Sequence, residues 1–451
     1  MKYQGDTISA ISTPIGIGGI SVIRVSGEKS IQVVDQVFQA KKSLEEYPSH
    51  KAVFGRIVDD KQLIDEVVVT VFIAPHSYTG ENVVEISCHG STFVTNKILE
   101  ILLRKTRLAE PGEFTQRAFL NEKIGLTQAE AVGDLLSSQT RIAHLAAVQQ
   151  YEGSLRRRIE KLLNKITEYR TLLELEIDFM EQGLDQIDTD DLLEKIKILQ
   201  SDIEKLARTG AEGMIIKEGL KVSLVGAPNV GKSSIFNAFL QNERAIVTPH
   251  PGTTRDYLEE AVSLNGYLVR FFDTAGIRKT ENQIEQLGID RSYEIIKQSH
   301  KILFIIDGEE NETEYQKLAE LVPKENIIKV INKTDLIDKN ELSKFIESDY
   351  IPCSAISDDG LEKLKEILLN DIQISQAELQ SGILTNTRQI AAVQRANESI
   401  RKAVSSLQNE LGYEFTAFDL KEASTALEEI IGKITTDDIL NQIFENFCVG
   451  K

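Results

Sequence analysis

The sequence predicts a multidomain α/β protein. It has an N-terminal α+β domain, a discontinuous α-helical domain and, inserted in the helical domain, a doubly wound domain built round a phosphate-binding loop. Three observations predict this. First, Gly226-Ala227-Pro228-Asn229-Val230-Gly231-Lys232-Ser233-Ser234 satisfies G-x-x-x-x-G-K-[ST] at every position, between a strand-like run at 220–225 and a helix-like run at 235–240. Second, strand and helix patterns alternate from 220 to about 371. Third, long, charged, proline-poor helical patterns lie on both sides of that block. Insertion is preferred over two separate helical domains because an inserted domain's termini can lie close together. The expected segments are 1–119, 120–217, 218–371 and 372–451.

Alternating apolar residues predict strands at 8–11, 20–25, 50–58, 66–73 and 82–88, with TPIGIGG as a turn. Helical spacing covers 30–38 and 93–103. Between them, Ser77-Tyr78-Thr79-Gly80-Glu81 is a turn carrying an aromatic ring and a carboxylate, and Pro111-Gly112-Glu113-Phe114 is a second turn. Helices are expected at 127–136, 143–177 and 192–207, with 210–219 as a connection into the loop's strand. Beyond the loop, strands are expected at 257–264, 267–272, 302–307, 327–331 and 350–353, the first two joined by Asn265-Gly266 as a tight hairpin. Helical spacing returns at 361–369, 390–411, 419–427 and 437–447.

Composition narrows the function. Of 451 residues, 41% are hydrophobic and 27% charged, as in an ordinary soluble globular protein. A net charge of −19 argues against a broad, non-specific grip on nucleic acid, though not against a local RNA site or one supplied by a partner. Cys88, Cys353 and Cys448 are far apart and odd in number, so a reducing cytoplasm is expected. No signal or transit peptide is expected from the first residues, and no window reaches about 18 apolar residues.

The glycines of the loop let backbone N–H groups surround phosphate oxygens, and the following helix adds its N-terminal partial charge. Lys232 can reach the β- and γ-phosphates and the Ser233 hydroxyl can ligate Mg²⁺. Asp273-Thr274-Ala275-Gly276 follows a strand, where Asp273 can hold Mg²⁺ through water and Gly276 N–H can sense the γ-phosphate. The loop 248–256 contains Thr253 and Thr254, and a threonine there can close over Mg²⁺. Asn332-Lys333-Thr334-Asp335 follows another strand, and Asp335 can accept from the guanine ring N–H and exocyclic amine. Adenine lacks that donor pair, and an unpaired buried acceptor costs about 1–3 kcal/mol. Ser354-Ala355-Ile356 can offer backbone N–H to guanine O6; the usual lysine is replaced by Ile356, which leaves that role intact. The nucleotide set is therefore Asn229, Val230, Gly231, Lys232, Ser233, Ser234, Thr248, Thr253, Thr254, Asp273, Thr274, Ala275, Gly276, Asn332, Lys333, Asp335, Ser354 and Ala355, and the nucleotide is GTP. Ile277 stands where Ras-like enzymes keep a water-orienting glutamine, so another residue must position water; Arg278, Glu281 and Glu285 are nearby.

These motifs, with GGISVIRVSG, SYTGENVVEISCHG, 110–121 and the tail Phe447-Cys448-Val449-Gly450-Lys451, resemble the MnmE (TrmE) family of tRNA-modification GTPases along the whole chain. The N-terminal block and the C-[ILV]-G-K-like tail are not generic GTPase features. The resemblance implies a Ras-like G domain and a K⁺-stimulated GTPase. The K⁺ ligands would be Asn229, Thr248, His250 and Thr253, with Mg²⁺ at Ser233 and Thr254, and Glu285 would orient water. It also implies a folate-binding N-terminal domain that dimerises, with Arg24, Glu81, Lys123 and Lys451 contacting a formyl- or methylene-tetrahydrofolate and Cys448 beside them. Partners would be a second copy, the FAD-dependent MnmG in a heterotetramer, and tRNA, with no membrane. The implied reaction adds an aminomethyl-type (carboxymethylaminomethyl) group to carbon 5 of the wobble uridine. A ribosome-assembly GTPase of the Era/Der type and a GTP-controlled scaffold remain as alternatives.

Overall fold

The computed structural model describes residues 5–179, 188–242, 259–273, 293–308, 311–357, 359–370, 372, 374–434, 436–445 and 447–451. The chain divides into two compact units. One comprises Met1–Gly133, Tyr151–Ile159 and Thr425–Lys451, and the other Asp134–Gln150 and Glu160–Ser424. The helical segments are thus shared between the two units. Among the described residues no helix is long and apolar enough to cross a membrane.

The first unit is built on a seven-stranded sheet in the order β3-β4-β5-β6-β2-β1-β7. Its strands are β1 (Ile8–Ile11), β2 (Gly18–Ser26), β3 (Phe38–Gln39), β4 (Lys51–Asp59), β5 (Gln62–Phe72), β6 (Val83–Gly90) and β7 (Arg107–Leu108). Alternation dictates the face. Along β4, Val53, Gly55 and Ile57 point inward while their neighbours face solvent. The inner face carries Ile23, Val25, Val69, Val71, Val84 and Ile86, covered by Ile98 and Leu102 of the helix Thr92–Leu103. Gly18 and Gly19, expected in a turn, begin β2; a Cβ on the facing Gly90 would fall 2.4 Å from Gly18 O, so the glycines permit close strand approach. The helix expected at 30–38 stops at Asp35, because Phe38 and Gln39 pair with β4 at the sheet edge. The turn at 111–114 passes directly into the helix Glu113–Leu120, entered from Gly112 at φ +67°. The C-terminal tail returns to this turn. Val449 bridges Pro111, Phe114 N donates to Lys451 O at 3.1 Å, and a Cβ on Gly450 would lie 2.2 Å from Ile11 O.

The second unit holds a six-stranded sheet in the order β13-β12-β11-β8-β10-β9. Its strands are β8 (Leu220–Val225), β9 (Glu259–Leu264), β10 (Tyr267–Asp273), β11 (Lys301–Ile306), β12 (Ile327–Ile331) and β13 (Ile351–Pro352). All neighbours are parallel except β9 and β10. Asn265 (φ +51°) and Gly266 (φ +86°) form the two-residue hairpin between them, as expected. β11 is buried along its whole length, the mark of a central parallel strand.

Two helical expectations change. The run 143–177 is interrupted: helices Arg141–Tyr151 and Ser154–Phe179 are separated by Gly153 at φ +81°. The expected connection 210–219 is instead the last two turns of the helix Thr189–Glu218, which ends at Gly219 (φ +96°). Gly210 and Gly213 are there for closeness. A Cβ on Gly210 would lie 2.8 Å from Ile390 Cγ1, and one on Gly213 would lie 2.0 Å from Leu384 O.

Candidate functional site

β8 is hydrogen-bonded on both sides, by β10 and β11, so its carboxyl end is a fixed platform at the point where the chain order in the sheet reverses. Gly226 leaves it at φ +152°, where a Cβ would fall 2.1 Å from Ile305 O. Asn229 (φ +66°) and Gly231 (φ +94°) complete the curl of the loop. The helix Lys232–Asn242 then begins, anchored by buried Ile235, Phe236 and Phe239, with Ser233 and Ser234 exposed in its first turn. Lys232 is 5% exposed, and its Nζ donates to the carbonyls of Gly226 and Ala227, both at 2.8 Å. The ammonium is therefore held within the loop. Asp273, the last residue of β10, lies opposite Leu224 of β8, which puts a carboxylate beside the start of the loop.

Asn332 ties the loop to the segment that follows β13. Its Nδ2 donates to Val230 O at 2.8 Å and its Oδ1 accepts from Ala355 N at 3.4 Å. A Cβ on Gly231 would meet Asn332 Nδ2 at 2.2 Å, so glycine is required there. Lys333 takes φ +58° and pairs with Asp307 at 2.6 Å. Asp335 is exposed, and one oxygen accepts from Ser354 Oγ at 2.7 Å, which orients the carboxylate and leaves its other oxygen for a ligand. Asn229, Val230, Gly231, Lys232, Asn332 and Ala355 are thus joined directly, and Ser354 with Asp335 next to them. Asn332 as the bridge and Asp307 as the partner of Lys333 are features that motif reading missed. Thr248, His250, Thr253, Thr254, Thr274, Ala275, Gly276 and Glu285 lie outside the described residues.

A second cluster occupies the first unit. Arg24 on β2 pairs with Glu85 across the sheet (Nε to Oε1, 3.0 Å), and its guanidinium lies over the rings of Tyr78 (5.1 Å) and Phe114 (5.5 Å). Glu81 accepts from Ser26 Oγ at 2.7 Å and from Arg117 Nη1 at 3.2 Å on both oxygens. Arg117 is only 3% exposed and also binds Asp6 at 2.6 Å and Glu113 at 2.8 Å; Glu113, fully buried, holds Arg107 at 2.6 Å as well. Burial raises the Asp6 carboxyl, but hydrogen bonds from Arg107 and Arg117 outweigh it and the net shift is downward. Lys123 Nζ donates to Pro75 O at 2.9 Å, and its Cγ would be 3.2 Å from a Cβ on Gly80. Lys451 is fixed through its main-chain oxygen to Phe114, and Cys448 is exposed three residues before it. Arg24 and Lys451 therefore share Phe114, while Lys123 and Glu81 flank Gly80. The Arg117 network escaped sequence reading, although Glu113 and Arg117 stand four apart in a helical motif.

Known proteins resemble this chain along its whole length. A family model described as "GTP-binding protein TrmE N-terminus" matches residues 7–123, and one described as "MnmE helical domain" matches 126–448. The tRNA modification GTPase MnmE of Clostridioides difficile is 41% identical over the whole of both chains, as is that of Alkaliphilus oremlandii. Among solved structures, the G domain of the T. maritima FeoB iron transporter aligns with 34% of this chain and 99% of its own at 27% identity, with a TM-score of 0.26. The family models and the full-length relatives agree, and the chain belongs to the MnmE family of tRNA modification GTPases.

Proposed function

We propose that this GTPase is K⁺-stimulated and works as a homodimer with the FAD-dependent partner MnmG in the cytoplasm. Together they add an aminomethyl-type group to carbon 5 of the wobble uridine of certain tRNAs, using a folate one-carbon unit. The observation that carries the folate part is the meeting at Phe114. Arg24 lies over its ring, and its backbone N–H holds the carboxyl end of the chain, so an N-terminal cation and a C-terminal lysine reach one place.

At the nucleotide site, Asp335 reads guanine, Asn332 sets the spacing between base and phosphates, and Lys232 meets the phosphate oxygens. Mg²⁺ and K⁺, when bound, supply positive charge beside the β- and γ-phosphates, as an arginine finger does elsewhere. The residues present fit these ions. Ser233 puts an exposed hydroxyl in the first helical turn, and Asn229 puts an exposed side-chain amide in the loop. Thr254 on Mg²⁺, and Thr248, His250 and Thr253 on K⁺, complete the proposed sets. Glu285 orients the attacking water, since Ile277 cannot. At the N-terminal site, Arg24, Lys123 and Lys451 hold a tetrahydrofolate. Glu81 has both oxygens engaged by Arg117 and Ser26, so it meets the pterin with its remaining lone pairs. Cys448, the exposed thiol of the tail, lies beside this site.

The test is mass spectrometry of wobble uridines from cells lacking the gene. Modification is expected to vanish and to return with the wild-type chain but not with Cys448→Ser or a Lys451 deletion. Normal wobble uridines in the absence of the protein overturn the reading.

A further inference from the structure

Beside the proposed folate cluster, a cavity of about 390 Å³ is lined by His50, Phe72, His76, Ser77, Tyr78 and Lys123. Three of these six carry an imidazole or an ammonium group, and none carries a carboxylate. That is notable in a chain with 70 acidic residues against 51 Lys and Arg. His50 is held in a left-handed conformation (φ +64°), edge-on to Phe72 with ring centroids 5.2 Å apart. Its Nδ1 is hydrogen-bonded with Ser49 Oγ at 2.9 Å, which leaves Nε2 for another partner. Lys123 gives one N–H to Pro75 O and retains two. Tyr78 is shared: its ring lies under the Arg24 guanidinium and its hydroxyl is hydrogen-bonded with Thr115 at 2.9 Å, while the same residue lines the cavity.

We propose that this cavity is a subsite for the poly-γ-glutamyl tail of a reduced folate, a reading that rests on the folate site proposed above. The pterin end lies at Arg24 and Glu81. The aminobenzoyl ring lies along Tyr78 and Phe72, and successive tail carboxylates accept from His50, His76 and Lys123. A long-range field does not produce the same preference. The whole chain carries −19, so its distant charge repels a longer polyanion more than a shorter one. Any gain with tail length must come from local donors.

The experiment is calorimetric titration of the full chain with 5-formyltetrahydrofolate as the monoglutamate and as the triglutamate. The triglutamate is expected to bind about tenfold more tightly, the effect of one charge-assisted hydrogen bond at a partly exposed site. In a His50→Ala, His76→Ala double variant the ratio is expected to fall below about twofold. Both imidazoles are exposed, and an unchanged melting temperature checks folding. Lys123→Met, which keeps the packing on Gly80, supplies a second variant in which the ratio falls. Equal affinity of the wild type for both ligands, or a tail preference that survives in the variants, overturns the subsite alone. Failure of the wild type to bind the monoglutamate overturns the folate reading and the subsite with it.

Discussion

Asp335 works through direction as well as charge. Ser354 Oγ fixes one of its oxygens at 2.7 Å, so on the proposed base-reading role the carboxylate is aimed before a base arrives. Asp335→Asn replaces an acceptor by a donor and is expected to shift selectivity from guanine to xanthine nucleotides, read as competition between GTP and XTP. Glu285→Ala is expected to keep GTP affinity while hydrolysis falls about a hundredfold or more, the usual scale for losing a positioned general base; undiminished turnover rejects that assignment. Arg117 compensates Glu113, Glu81 and Asp6 from an almost fully buried position. Arg117→Ala takes from Glu81 the guanidinium that spans both its oxygens and leaves the fully buried Glu113 and the partly exposed Asp6 to Arg107, and a loss of about 3 kcal/mol, the low end for breaking a buried pair, is expected in denaturant unfolding. The same network predicts acid sensitivity. The Asp6 carboxyl is lowered in the folded chain, so its contribution is complete above the ordinary value of 3.8 and is lost as pH falls through the lowered one. Asp6→Asn is expected to flatten the stability profile below about pH 4, and an unchanged slope there counts against the pairing.

Elements show why two expectations failed. Glycine in a polar stretch reads as a break, yet Gly210 and Gly213 lie inside a 30-residue helix. Their cost in helix propensity is offset by close packing on the segment 384–390, which no local pattern reveals. Gly213→Ala, usually favourable in a helix, is therefore expected to destabilise by about 1–3 kcal/mol, the range for overpacking. A raised unfolding midpoint argues that the contact is slack. The reverse holds at Gly153, where a helix pattern continues across a residue at φ +81° that ends it. The strands β8 and β11 were legible because a strand buried on both faces is largely apolar, even with Lys221, Ser223 and Lys301 among their residues. Thiol chemistry follows the elements too. Cys88 lies inside β6, where burial and then the Asp65 charge push its thiol up to about 11, and Cys353 is buried at the end of β13. Alkylation of the native chain is expected to modify Cys448 rapidly and the other two only on unfolding, as peptide mapping would record.

At the scale of the whole chain, each compact unit holds one of the candidate sites: the nucleotide site in the second and the Arg24–Lys451 cluster in the first. GDP with Mg²⁺ at a hundred times its dissociation constant is expected to stabilise the unit that holds the phosphate loop by about 2.7 kcal/mol. Differential scanning calorimetry reads this as an upward shift, and no shift denies nucleotide binding. The net charge of −19 supports the proposal that the grip on tRNA is shared with a partner.

The sequence alone carried the candidate motifs that depend on spacing along the chain. The loop 226–234 and the runs ending in Asp335 and Ala355 each carry their ligands within a few consecutive residues, so order and residue type suffice. The resemblance of the N-terminal block and tail brought Arg24, Glu81, Lys123 and Lys451 into view as candidates. Only the tertiary structure decided what meets across long separations. Asn332 reaches Val230, Phe114 meets both Arg24 and Lys451, and Arg117 takes both oxygens of Glu81. These contacts join residues some 30 to 340 positions apart. They are fixed by sheet order and by glycines that let backbones touch, quantities that no local window of the chain encodes.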